Sequence, residues 1–130
     1  MSRPSDAVSN ISLLISSSDT AITVTFADTG EAQKTASVQA VLDINAENKA
    51  IGIEVINLRH QTGCIVDRPY KRSVPGEESH SAYDPTDDLL YVRIASGRSV
   101  IQPTVTASAT MDSRHRLLKL DIPISFPLRH

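Results

Sequence analysis

The chain repeats itself, and the repeat constrains its fold more than any other feature. Residues 19–27 (DTAITVTFA) lie on residues 87–95 (DDLLYVRIA), so that Ile22, Val24 and Phe26 fall on Leu90, Val92 and Ile94. One residue fewer in the turn that follows brings Val38 onto Val105, Ala40 onto Ala107 and Asn45 onto Asp112. Lys49, Ile51, Ile53, Glu54 and Val55 then meet Arg116, Leu118, Leu120, Asp121 and Ile122. The match keeps face as well as residue type, because every inward Ile or Val has an apolar partner. A correspondence sustained over three segments and both tight turns is the signature of an internal duplication, which fixes the architecture before local propensity is considered.

Each copy reads as β structure, because apolar residues recur at every second position. In the first copy the expected strands are residues 11–16, 21–26, 35–43 and 49–56. In the second they are 80–84, 89–95, 99–111 and 116–122, with Pro103 marking a bulge or an edge because proline cannot donate to a ladder. No stretch carries apolar residues at helical spacing behind a cap, so no helix is expected. A lone meander has one apolar face and two bare edges and is marginal by itself, whereas two copies can bury their faces against each other. The expected fold is all-β: two antiparallel β-meander repeats packed as a pseudo-two-fold sandwich or flattened barrel, with little or no helix. With 130 residues the chain fits a single domain, made of repeat 1 (11–57), a connector (58–79), repeat 2 (80–122) and an extended tail (123–130). Aromatic residues make up 4% and tryptophan is absent, so the core must be aliphatic.

A family resemblance rests on the start of the second copy. Tyr83-Asp84-Pro85-Thr86-Asp87-Asp88-Leu89-Leu90-Tyr91-Val92-Arg93 resembles the opening Y-D-P-x-x-D-x-L-Y-V-R of small bacterial proteins grouped as domain of unknown function 2283. The closing part of that pattern is matched better in the first copy, by Leu42-Asp43-Ile44-Asn45 and Ile51-Gly52-Ile53-Glu54-Val55-Ile56. The first copy lacks the Tyr-Asp-Pro, with Ile15-Ser16-Ser17 in its place, and the second has Lys119 where the glycine belongs. The resemblance implies a β-rich fold and self-association; it implies no reaction.

Charge and composition exclude several classes. Thirteen Lys and Arg against fifteen Asp and Glu give a net charge of −2, without the basic excess of a nucleic-acid binder. Nor does the sheet offer an aromatic stacking platform for single strands. A single cysteine, Cys64, rules out an intramolecular disulfide framework and fits a reducing compartment. Neither a signal sequence nor a membrane-length apolar run is visible, so a cytoplasmic protein that does not meet membranes is expected.

Candidate site residues cluster in the connector and the start of the second copy. Arg68 and Arg72 could clamp an anionic small molecule, since guanidinium matches carboxylate geometry. Asp67, Tyr70, His80, Tyr83, Tyr91 and Arg93 are the candidates for acid–base work, with Tyr91 and Arg93 on the non-aliphatic face of their strand. The acidic turn 84–88 lacks the loop a Ca²⁺ site needs and reads as turn chemistry. The four histidines show no zinc spacing, so no metal or other cofactor is expected; His60 and Cys64, four apart, are a weak hint of a metal or of a Cys-His pair.

Three functions follow in order. The first is a non-enzymatic binding or assembly module that forms a homo-oligomer, with a small organic ligand as an option. The second is a cofactor-independent isomerase, cyclase or lyase with a pocket between the repeats, since such chemistry needs only positioning and one acid or base. The third is a metal-dependent protein using His60, Cys64 or His80.

Overall fold

The computed structural model describes residues 10–26, 31–66, 69–74 and 77–124; for residues 10, 11, 71–74 and 77 the description covers the backbone alone. The strands are β1 (Asn10–Ile11), β2 (Leu13–Ser17), β3 (Ala21–Phe26), β4 (Lys34–Ile44) and β5 (Ala50–Ile56), then β6 (Lys71–Val74), β7 (Glu77–Asp84), β8 (Leu89–Arg93), β9 (Thr104–Met111) and β10 (Leu117–Pro123). One helix, α1 (Leu58–Thr62), follows β5. All strands join one antiparallel sheet in the order β1-β6-β7-β8-β5-β4-β9-β10-β3-β2.

The sheet curls into a nearly closed barrel, and the segment that closes it is continuous in sequence. β1 pairs with β6 at one end of the order, and after the bend at Ser12 the chain continues as β2, which pairs with β3 at the other end. β2 also lies beside β6 and β7. Tyr70 reinforces this seam. Its N–H donates to Ser81 Oγ (3.0 Å), its carbonyl accepts from Ser81 N–H (2.8 Å), and its ring meets Phe26 of β3 edge-on with centroids 5.1 Å apart.

Period-two patterning builds the wall. In β3, Ile22, Val24 and Phe26 are buried, and in β8, Leu90 and Val92 are; Val38, Ala40 and Leu42 of β4, Ile53 and Val55 of β5, and Leu120 and Ile122 of β10 point the same way. Together with Leu13, Leu58 and Met111 they form one cluster inside the barrel, aliphatic apart from Phe26 and Tyr70 at the seam. Non-directional apolar burial of this kind is the main force holding such a sheet closed.

Positions that the repeat aligns occupy corresponding places in the ladders. Thr25 opposes Lys119, and their counterparts Arg93 and Gly52 oppose each other; Ile22 opposes Ile122, and Leu90 opposes Val55. In the β4–β9 pair Gln39 faces its own counterpart, Thr106. The β4–β5 turn puts Asn48 at φ 64° and uses Asn45 Oδ1 to accept from Glu47 N–H and Lys49 N–H. The β9–β10 turn puts His115 at φ 63° and uses Asp112 Oδ1 to accept from Arg114 N–H and Arg116 N–H. A register shift follows each turn, between Asp43 and Ile44 and between Leu117 and Lys119.

Several expectations change. The connector 58–79 is not structureless: it holds α1, β6 and the start of β7. α1 spans five residues, between Asn57 and Gly63 in left-handed conformations (φ 60° and 72°), too short to display a helical period. The expected strand 99–111 starts only at Thr104. Residues before it run as a strap beside β4, where Ile101 bridges Ile44 and the Pro103 carbonyl accepts from Leu42 N–H. The Tyr-Asp-Pro counterpart shifts as well, since Ser17 opposes Ile22 where Tyr83 opposes Leu90. Among the described residues no helix is long and apolar enough to cross a membrane.

Leu120 is fully buried in the aliphatic cluster. Leu120→Ala is expected to destabilise the barrel by roughly 2–5 kcal/mol, the transfer term plus the cavity left behind. Urea unfolding measures it; a loss under about 1 kcal/mol would mean that the interior can collapse around the gap.

Candidate functional site

The acid–base candidates do not converge on one pocket. Tyr70 is built into the seam. Tyr83 donates from Oη to Asp88 Oδ1 at 2.6 Å, and the same carboxylate accepts from Arg59 N–H (2.9 Å) and His60 N–H (3.0 Å). Asp88, itself at φ 51°, thus caps the first turn of α1 from another part of the chain, where Asn57 supplies no side-chain cap. Desolvation opposes the charge on Asp88, but the hydrogen bonds from Tyr83 and the two N–H groups outweigh it and hold the carboxyl below its ordinary value. The Tyr83 phenol is pushed up to about 12, by burial first and then by the bond to Asp88. Asp84 completes the turn by accepting from Thr86 N–H at 2.9 Å. The motif residues Tyr83, Asp84 and Asp88 therefore serve architecture.

Other candidates separate too. Asp67 and Arg68 lie outside the described residues, and Arg72 falls on β6, where only the backbone is described. Cys64 is buried, and burial pushes its thiol up to about 12, which leaves no thiolate for a Cys-His pair at neutral pH. His60 is exposed on α1. Among the described residues no group of three or more His, Cys, Asp or Glu is arranged to hold a metal ion.

His80, Tyr91 and Arg93, by contrast, share the outer face of β7 and β8 with two carboxylic acids that the candidate set omitted. Registers place Asp43, Gly52, Arg93 and His80 in one row across β4, β5, β8 and β7, and Glu54 beside Tyr91 in the next. Asp43 is only 4% exposed although it sits on the outward side. The strap covers it: Gln102 Nε2 donates to Asp43 Oδ1 at 2.7 Å and lies 3.4 Å from Glu54 Oε2. Burial first, then the neighbouring Asp43 carboxyl and its charge, raise Glu54 above its ordinary value. Tyr91 is raised by burial and by the Asp43 charge, against the pull of Arg93.

Gly52 makes this packing possible. A Cβ there would stand 2.8 Å from Tyr91 Oη and 3.1 Å from Asp43 Oδ2, closer than packed atoms tolerate. The corresponding place in the other half is ordinary: Thr23 donates to Asp121 at 2.9 Å, Lys119 pairs with Asp121 at 3.7 Å, and Thr110 stands where Asp43 does. Chemically, the Asp43 cluster offers two neighbouring carboxyls, one of them raised above its ordinary value, with a raised phenol and a guanidinium beside them. The omitted residues had a signal in the sequence, since Asp43, Gly52 and Glu54 all lie in the segments that carry the family resemblance. Comparison with family models, curated proteins and solved structures found no match to this chain.

Two outcomes follow. A proton on Glu54 favours the folded state below the ordinary value of 4.5, and that contribution is lost as pH rises through the raised value. Glu54→Gln removes the dependence, so urea unfolding from pH 4 to 8 is expected to favour the variant progressively over the wild type. A difference that stays flat with pH contradicts a raised Glu54. Gly52→Ala is expected to cost about 1–3 kcal/mol by displacing Tyr91, read as a lower urea midpoint; an unchanged midpoint contradicts the close approach.

Proposed function

We propose that the chain is a self-associating binding or assembly module, made by duplication of a half-barrel, that works through its outer surface. The observation that carries this reading is the division of chemistry. The inside of the barrel is one mainly aliphatic cluster, while the carboxyl pair, Tyr91, Arg93 and His80 gather outside. The matching registers and matching turns of the two halves support the duplication. Exposed apolar residues support association: Val100 and Ile101 are each 55% exposed on the strap beside the Asp43 cluster.

A second reading has one observation in its favour. A carboxyl raised by burial and by a neighbouring carboxyl, beside a phenol and a guanidinium, is suited to acid–base chemistry on a small organic molecule, without a cofactor. Its site would be the outer face rather than the space between the repeats. Thermal shifts with small carbonyl compounds that vanish in both Tyr91→Phe and Glu54→Gln would favour it.

Sedimentation velocity separates the two. Self-association predicts a dimer or larger species at micromolar concentration, weakened by Val100→Ser/Ile101→Ser. A strict monomer over that range removes the assembly reading and leaves ligand binding.

A further inference from the structure

We infer that a second copy of this chain docks on the outer face of β4, β5, β8 and β7, acidic end against basic end, about a two-fold axis near Tyr91. This rests on the self-association proposed above and names its surface. Two neighbouring rows across these strands are ordered by charge. Half-buried Glu54 presents the acidic end, with Asp43 covered by Gln102 in the row beside it, Gly52 carries no side chain, and Arg93 and His80 stand at the β8–β7 end. From Asp43 to His80 is three inter-strand steps, roughly 14 Å. Among the described residues neither carboxyl is ion-paired with Arg93 or another cation.

An isologous interface must be complementary to itself after a half-turn. A strip that is negative at one end and positive at the other meets this condition; a strip of one sign cannot. The corresponding face of the other half fails it, because Lys119 and Asp121 neutralise each other locally at 3.7 Å. Tyr91 sits midway along the charged strip, half-buried over Gly52. Tyrosine and arginine are the side chains that most often anchor interfaces, since each joins a large contact area to a polar group.

Charge reversal tests the surface. Arg93→Glu makes both ends acidic and Glu54→Lys makes both basic, so each variant alone repels its own copy. Mixed one to one, the variants restore both opposite-charge contacts. Sedimentation velocity of the full chain in low salt is expected to show dimer affinity weakened on the order of tenfold or more in each variant, and recovered in the mixture. Raising the salt concentration is expected to weaken the wild-type dimer. His80→Glu, at an exposed residue, provides a milder variant should Glu54→Lys disturb the fold, which circular dichroism reports. A wild-type dimer indifferent to Arg93→Glu and His80→Glu overturns this surface while leaving self-association intact. A wild-type monomer overturns both.

Discussion

The antiparallel pairing of β4 with β9 is the constraint on which the rest of the barrel depends. Its centre is Gln39 against Thr106, where Gln39 Nε2 donates to Thr106 Oγ1 at 3.0 Å. These strands are far apart in sequence, so joining them carries a loop-closure cost that local contacts must offset. The hairpins β2–β3, β4–β5, β7–β8 and β9–β10 supply those contacts cheaply, because each closes over a short turn. Once the central pair forms, β5 and β10 lie on either side of it. β8 and β3 can then add only to the free edges of the opposite half, so the two halves interlock rather than sit side by side.

The two ends of such a sheet must still meet. The chain solves this with two small devices. Residues 10–17 hydrogen-bond first to β6 and then to β3, so one stretch serves both ends of the strand order. Tyr70 ties its backbone to Ser81 on one side of the seam and its ring to Phe26 on the other. In a chain this poor in aromatics, placing two of the five at one joint fits the large contact area each brings. Asp88 performs a parallel task for α1, joining three donors from two parts of the chain at one carboxylate.

What the sequence made legible follows from periodicity and what it hid follows from pairing. Alternation in residues 21–26, 49–56 and 116–122 is a local signal of strand and face, and the barrel uses it as read. The helix at Leu58–Thr62 was hidden because one and a half turns cannot show a period, and because its cap, Asp88, lies about thirty residues away. The strap before Thr104 was hidden because its bonds go to Ile44 and Leu42 rather than to a continuous ladder. The outer-face cluster was half legible. Tyr91 and Arg93 stood out on one strand, but Asp43 and Glu54 join them only through the β4–β5 and β5–β8 registers, which no single segment encodes. Tyr83 read as an acid–base candidate because the sequence does not show that Asp88, five residues on, is occupied in capping α1.

The difference between the two halves bears on where function resides. Both halves of the strand order contribute inward positions to a single core, so a change in either is felt by the other. Outward positions carry no such coupling. Here the inward residues stay aliphatic in both halves, while the outward set diverges: Asp43, Gly52, Glu54, Tyr91 and Arg93 in one, Thr110, Lys119, Asp121, Thr23 and Thr25 in the other. The second set is what solvent and a twisted sheet ask for, with one hydrogen bond and one ion pair. The first set runs against stability: it buries an acid under Gln102, sets a second acid beside it and spends a β-strand position on glycine. Glycine inside a strand is unfavourable by itself, and a buried carboxyl demands partners. An arrangement that costs stability is what a binding surface asks for, which is why we place the proposed binding on the outer face of β4, β5, β8 and β7 rather than in the filled interior.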